Sequence, residues 1–248
     1  KNFSKHSIKT LKKTVGEQEY ELIVVDNDSN RATKNALLSL QKKGMIEKLL
    51  FLKENTFFAK GNNIGSKLCS DKSDYILLLN SDVEIRNKKW LDILVKHHKR
   101  GATAYGVCEN NPYTRGDGYC FLIDKDLYLK YQLDESFEWW WSVTKLQAQL
   151  LKDGYTVTAI KNHNELLYHY GGMSGKAWKK SKGLSVEGEE IKKWFENKSV
   201  IILEDVDFDK TDKVYYKYNY TNTVIQFKKA FQKMKENLKV QIKKVLKK

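Results

Sequence analysis

The sequence predicts an α/β fold: a mostly parallel, twisted sheet flanked by helices, with a helical C-terminal extension. Three observations predict it. Over the first two-thirds of the 248 residues, strand-sized apolar runs alternate with segments of helical period. Two of those runs, Leu22–Val25 and Tyr75–Leu79, stop at acidic, turn-forming residues, as strands do where loops gather over an open sheet. A hydrophobic fraction of 41% and an aromatic fraction of 12% supply a core for one sizeable domain.

Each element follows from local pattern. Ser7–Val15 reads as an amphipathic helix with Ile8, Leu11 and Val15 on one side. Glu21–Val25 is a short buried strand that ends in the turn Asp26-Asn27-Asp28-Ser29. Ala36–Lys43 is a helix and Leu49–Lys53 a strand. Gly61-Asn62-Asn63 reads as a turn opening a helix over Asn62–Cys69. Tyr75–Leu79 is a strand that stops at Asn80-Ser81-Asp82, and Lys88–His98 is a helix with His97 and His98 on a solvated face. Gly118–Ile123 is a strand, Ser142–Asp153 a helix closed by Gly154, and Thr156–Ile160 a strand.

Beyond about residue 175 the composition shifts to Lys, Glu, Tyr and Asn. Residues 1–175 form the main domain and 176–222 an extension with one strand at Val200–Leu203. Tyr215–Tyr220 reads as packing. In 223–248, Val224, Phe227, Phe231, Met234, Leu238, Ile242 and Val245 fall at spacings of three and four opposite a lysine face, a basic amphipathic helix.

The net charge of +14 is largely a property of that tail: nine lysines and one glutamate in 228–248 give +8 of it. The rest is spread thinly without an arginine cluster, so a nucleic-acid partner is not expected. The tail helix fits an anionic membrane face, and equally packing on its own domain or on a second copy in a homodimer. No apolar run approaches the ~18–20 residues of a membrane span. Cys69, Cys108 and Cys120 lack paired spacing, against a disulfide framework or a zinc site. The chain begins at Lys1 with no visible signal peptide. A reducing, cytoplasmic setting is expected, with the inner face of the membrane as a peripheral seat under the first reading of the tail.

Asp26 and Asn80-Ser81-Asp82 place carboxylates above the sheet from two separate strand ends. A carboxylate beside an amide oxygen suits Mn2+ or Mg2+, which fill their remaining positions with phosphate and water. Such an ion neutralises charge on a departing diphosphate. The alternative is that Asn80-Ser81-Asp82 is only a turn and cap for the following helix.

Five segments, taken in order, carry a resemblance. Asn55-Thr56-Phe57-Phe58-Ala59-Lys60-Gly61-Asn62-Asn63-Ile64-Gly65 precedes Tyr75-Ile76-Leu77-Leu78-Leu79-Asn80-Ser81-Asp82; Gly118–Ile123 precedes Leu133-Asp134-Glu135-Ser136-Phe137; and Tyr168-His169-Tyr170-Gly171-Gly172-Met173-Ser174 closes the series. With Asp26-Asn27-Asp28-Ser29, these resemble, in order over roughly 5–175, the motifs of family 2 glycosyltransferases, most of all the rhamnosyltransferase-like branch. The resemblance implies a GT-A fold and a hexosyltransferase-type enzyme of polysaccharide biosynthesis. It would move sugar from a UDP- or dTDP-sugar to a hydroxyl of a glycan or lipid-linked saccharide, with Mn2+ or Mg2+.

By the same resemblance Asp26 holds the nucleotide base, Asn62 and Asn63 lie over the donor pocket, and Asn27, Lys60 and Ser81 belong to the donor-binding motifs. Asn80 and Asp82 occupy the ends of a DxD-type motif, Asp82 being the metal carboxylate, and His169 completes the metal shell or is a structural histidine. Trp139, Trp140 and Trp141 supply an aromatic platform for the acceptor sugar, with one or two of them filling the core instead.

Two departures stand out. The family's first strand, ending in P-x-Y-N, would be finishing near Asn2, so that strand is expected to be absent. The acidic pair that supplies the general base of inverting members aligns with Ser142 and Val143, neither of which takes a proton. Glu138 is the nearest substitute, followed by Asp134 and Glu135; a retaining reaction or a nucleotide-sugar-binding pseudoenzyme are the alternatives. An inverting transfer without its base loses about 10²–10⁴-fold in rate. A nucleotidyltransferase fits less well, because the glycine- and arginine-rich phosphate loop it needs is not seen.

Overall fold

Apolar side chains that alternate along the strands build the centre of the molecule. The computed structural model describes residues 3–16, 18–110, 112–173 and 177–214. The first half runs α1 (Phe3–Thr14), β1 (Ile23–Asp26), α2 (Arg31–Lys42), β2 (Lys48–Phe51), α3 (Phe57–Ser66), β3 (Tyr75–Leu79), β4 (Val83–Ile85) and α4 (Trp90–Lys96). It continues with β5 (Gly101–Tyr105), β6 (Val107–Cys108), β7 (Arg115–Gly116), β8 (Cys120–Asp124), α5 (Lys125–Tyr131) and α6 (Trp140–Lys152). The last elements are β9 (Thr156–Ile160), β10 (Leu167–His169), a 3-10 turn (Ala177–Lys180), α7 (Gly188–Phe195), β11 (Ile201–Leu203) and a second 3-10 turn (Lys210–Asp212).

The central sheet has the order β11-β9-β5-β8-β3. β11, β9 and β5 run parallel, whereas β8 is antiparallel to both β5 and β3. The sheet is therefore mixed rather than mostly parallel. The chain passes from β5 to β8 through the short antiparallel pair β6–β7 instead of a crossover helix, and a strand that returns this way runs antiparallel. β1 and β2 form a separate parallel pair, and β4 pairs antiparallel with β10, setting Val83 opposite His169.

Both faces of the sheet are covered. Phe121 and Ile123 of β8 join Ile76, Leu78, Ala104 and Val157 against α6 and α7, where Leu146, Leu150, Ile191 and Phe195 are buried. Cys120 and Leu122 point the other way, to Trp90 and Leu94 of α4, Leu11 of α1 and Ile85 of β4. Burial on both faces is why the strands read as continuous apolar runs. A third cluster, Ile8, Leu37, Leu40 and Ile46, seals β1 and β2 under α1 and α2.

Several expectations need correcting. α3 begins at Phe57 and takes Gly61-Asn62-Asn63 into its interior. The glycines serve a close approach there: a Cβ on Gly65 would stand 3.1 Å from Val25 Cγ2. His98 is not solvated. Its side chain is 4% exposed and its Nδ1 lies 3.0 Å from Thr103 Oγ1, and burial lowers its pKa. Residues 176–214 are not separate from the main domain, since β11 completes the sheet and α7 packs on α6; described residues through Val214 form one compact unit. The tail helix over 223–248 and the run Tyr215–Tyr220 lie outside the described residues. Among the described residues the first element is a helix, and no helix is long and apolar enough to cross a membrane.

One buried carboxylate ties three elements together. Glu84 of β4 is 7% exposed and accepts from His6 Nε2 of α1 (2.8 Å), Tyr170 Oη beyond β10 (2.6 Å) and Arg86 Nε (2.9 Å). Burial alone would raise its pKa, but those bonds and the Arg86 charge bring it down from 4.5 to about 2. A carboxyl depressed on folding stabilises the native state above its unfolded value and loses that contribution as pH falls through its folded one. Glu84 is thus expected to contribute on the order of 3 kcal/mol at neutral pH, lost between 4.5 and about 2. In thermal melts across this range, Glu84→Gln should melt lower than wild type at pH 7 and converge on it near pH 2.

Candidate active site

The site forms where β3 leaves the sheet. Asn80 N donates to Tyr119 O at 2.8 Å, extending the β3–β8 ladder one residue past Leu79. The chain then turns, leaving Ser81 exposed and Asp82 2% exposed just before β4. The β4–β10 pairing brings His169 alongside, with Nε2 3.2 Å from Asp82 Oδ1. Tyr170 N donates to Asp82 O at 3.0 Å. Gly171 and Gly172 then take φ of +68° and +69°, a left-handed turn that returns Met173 N to Asp82 Oδ2 at 3.3 Å. Burial would raise the Asp82 pKa; the His169 bond and charge, with the Met173 N–H, outweigh it and hold the carboxyl below its ordinary range.

Asn80, Asp82, His169 and Gly172 line a cavity of about 260 Å³ together with the indoles of Trp139, Trp140 and Trp178. Trp139 precedes α6 and Trp140 opens it; Trp140 is 40% exposed and leans on Trp178 at 5.7 Å between centroids. Trp141 turns inward instead: its Nε1 donates to Leu184 O (2.9 Å) and the Arg115 guanidinium lies 5.0 Å over its ring. The run thus divides between the cavity wall and the core.

The donor set can hold a divalent ion. Two cis ligands of an octahedral Mg2+-sized ion stand about 3 Å apart, close to the 3.2 Å between Asp82 Oδ1 and His169 Nε2. One carboxylate, one imidazole and the nearby Asn80 amide fit Mn2+ or Mg2+ that draws its other ligands from phosphate and water. Among the described residues no three His, Cys, Asp or Glu side chains gather as a metal site, so such an ion would depend on its bound phosphates.

Neither Asp26 nor Asn27, at the β1 end of the expected donor site, lines this cavity. Asp26 is 4% exposed and its Oδ1 accepts from Ser29 N at 3.0 Å. Asn27 braces the start of α3, donating to Phe57 O (2.7 Å) and accepting from Thr56 N (2.6 Å) and Thr56 Oγ1 (3.0 Å). Around it Asp28 and Phe57 adopt φ of +58° and +59°, conformations that non-glycine residues hold only when their neighbours enforce them. The two regions are joined through backbone: Phe58 N and Ala59 N donate to Glu138 O at 2.9 and 3.3 Å, and the Phe58 ring meets Trp139 edge-on.

Other expected site residues are engaged elsewhere. Lys60 is exposed, and Asn62 Nδ2 donates to Phe58 O within its own helix. Asn63 is 2% exposed and fully used: Nδ2 serves Leu133 O and Glu135 Oε1, and Oδ1 accepts from Tyr128 Oη and Leu133 N. α3 continues through it and carries its side chain inward. None of the three carboxylates expected to act as base lines the cavity. Asp134 pairs with Lys145 (2.5 Å), Glu135 holds Asn63, and Glu138 Oε2 accepts from Lys182 N (2.5 Å). Ser142 and Val143 are buried inside α6. Trp178 and Tyr119 escaped the sequence reading; Trp178 lies four residues past the last motif, a signal only in retrospect.

Residues 4–118 match the family model of glycosyl transferase family 2. No curated protein matches. The fold is that of GT-A glycosyltransferases. The mannosyltransferase PcManGT of Pyrobaculum calidifontis, solved with GDP-Man and Mn2+, superposes with TM-score 0.53 at 14% identity over 64% of this chain and 51% of its own. S. aureus TarS gives 0.50 at 14% identity over 65% and 33%, and GalNAc-T7 with UDP, GalNAc and Mn2+ gives 0.50 at 10% over 61% and 38%. The chain therefore spans between a third and about half of these proteins.

Asn63→Ala should be destabilising, leaving Tyr128 Oη and Leu133 N without their acceptor in the core. A loss of about 2–4 kcal/mol is expected in urea unfolding at pH 7.

Proposed function

We propose, from a GT-A fold whose residues 4–118 match glycosyl transferase family 2, that this chain binds a nucleotide-diphosphate sugar and transfers the sugar to a glycan or lipid-linked hydroxyl. The observation that carries the reading is the ionised, buried Asp82 with His169 at 3.2 Å on the wall of an indole-lined cavity at the end of β3. Asp82 and His169 would hold Mn2+ or Mg2+, and Asn80 and Ser81 would help to bind the diphosphate. When bound, the ion neutralises the charge that builds on the leaving diphosphate. Asp26 and Asn27, at the end of β1, receive the nucleotide, and Trp139 and Trp140 offer flat apolar faces to a sugar ring.

Transfer breaks the bond between the anomeric carbon and the diphosphate oxygen and forms one to the acceptor oxygen, whose proton passes to a base. Glu138 is the base in this reading, being adjacent in sequence to the cavity residue Trp139. Reaching the cavity requires it to exchange its bond with Lys182 N. One observation favours a second reading, donor binding without transfer: the start of α6 presents indoles to the cavity, and among the described residues that line it Asp82 is the only carboxylate.

Calorimetric titration of UDP, dTDP and GDP, with and without Mn2+, tests the donor site. At least one diphosphate should bind in a metal-dependent way, and Asp82→Asn should weaken that binding roughly tenfold or more. If none binds under either condition, the reading is wrong. Release of free sugar or product from the matching nucleotide sugar, compared in wild type and Glu138→Gln, separates transfer from binding alone. Loss of about 10²–10⁴-fold in the variant is expected of the general base.

A further inference from the structure

Behind His169 lies a buried aromatic pair that the mechanism above leaves unused. The Tyr119 ring is 5% exposed and stacks on His169, with centroids 4.2 Å apart and planes 22° from parallel. Its backbone carbonyl accepts Asn80 N, so one residue touches both strands that build the site. The Tyr119 hydroxyl meets His163 Nε2, and His163 is itself 8% exposed.

The hydrogen bonds fix which group donates. His163 Nδ1 lies 2.6 Å from Lys161 O, and a carbonyl only accepts, so the Nδ1 proton is placed there. Burial lowers the His163 pKa, which keeps the ring neutral and leaves Nε2 to accept from Tyr119 Oη. The chain also leaves room for the ring: a Cβ on Gly106, at φ +92°, would come within 2.9 Å of Tyr119 Cε1 and Oη. Tyr119 is therefore held at its hydroxyl, at its backbone and along its ring edge, while its face bears on His169.

We propose that Tyr119 is a positioning residue that sets the plane of His169 and so aims Nε2 at the point it shares with Asp82, with His163 as its anchor. This rests on the reading of Asp82 and His169 as metal-holding residues. A histidine free to turn about its side-chain bonds spends most of its time aimed elsewhere, whereas one packed flat on an anchored ring keeps a single orientation. Groups that orient a ligating histidine typically change metal affinity by about 10–100-fold when removed.

The test has two parts, on the full chain. In the first, Mn2+ affinity in the presence of excess UDP is measured by electron paramagnetic resonance for wild type, Tyr119→Phe, Tyr119→Leu, His169→Ala and the double variant Tyr119→Leu/His169→Ala. Tyr119→Leu should weaken Mn2+ binding about tenfold or more, and Tyr119→Phe, which keeps the ring and loses its anchor, by less. Once His169 is already alanine, Tyr119→Leu should add nothing, since its effect passes through that residue. Equal losses in both backgrounds would show a structural role and overturn the proposal. In the second part, the His169 ring protons are followed by NMR without metal or nucleotide. They should be shifted upfield by the stacked ring in wild type and Tyr119→Phe, and return toward ordinary positions in Tyr119→Leu. Unshifted protons in folded wild type would overturn the proposal whatever the metal result. Absence of Mn2+ binding with the upfield shift present would instead sink only the metal-holding reading, leaving Tyr119 as the residue that orients His169.

Discussion

A carboxylate taken out of water has to be given bonds by the fold, and Glu84 meets that demand with one partner from each of three directions. His6 comes from α1, Tyr170 from the segment after β10, and Arg86 from the residue just past its own strand. Any one of them missing would leave a buried charge under-satisfied, which costs several kcal/mol. The knot therefore fixes α1 against β4 and holds the β4–β10 pair in register. That register sets His169 opposite Val83, one residue from Asp82, so the geometry of the site descends from bonds made two residues further along the chain.

Much of the frame was legible in the sequence because it rests on local apolar pattern. Tyr75–Leu79 and Thr156–Ile160 are observed with the expected limits, and the helices around Leu11, Leu40 and Leu146 appear where their spacing put them. What escaped was carried by residues with little pattern of their own. β5 is Gly-Ala-Thr-Ala-Tyr, in which the glycine and the two alanines carry little strand signal, yet it becomes the middle of the sheet between β9 and β8. β4 and β10 are three residues each, too short for alternation to show.

The site was legible in part, and for a different reason. Asp82, Asn80 and His169 were found through motifs, and the fold brings all three to one cavity from two distant stretches of chain. The Asn-Asn pair after glycine reads as a turn, whereas α3 runs through it and makes Asn63 a buried clamp on Leu133 and Glu135. Tyr119 lies in the predicted strand Gly118–Ile123, but nothing in the sequence marks it as a site residue. A tyrosine there is ordinary in sequence; its part depends on what stacks on it and what holds its hydroxyl, both of which are tertiary.

The cavity wall is built in two unequal grades of constraint. Asp82 is held by His169 Nε2 and Met173 N, and His169 by Asp82 and the Tyr119 ring, while Trp140 is 40% exposed and touches Trp178 only ring to ring. Those indoles ride on segments, the opening of α6 and the 3-10 turn at Ala177–Lys180, that do not take part in fixing the acid–imidazole pair. Natural variation can therefore work on one part of this pocket without disturbing the other. Lineages descended from such a chain are free to exchange the aromatic wall residue by residue, exploring new shapes of guest, while the polar floor is inherited intact.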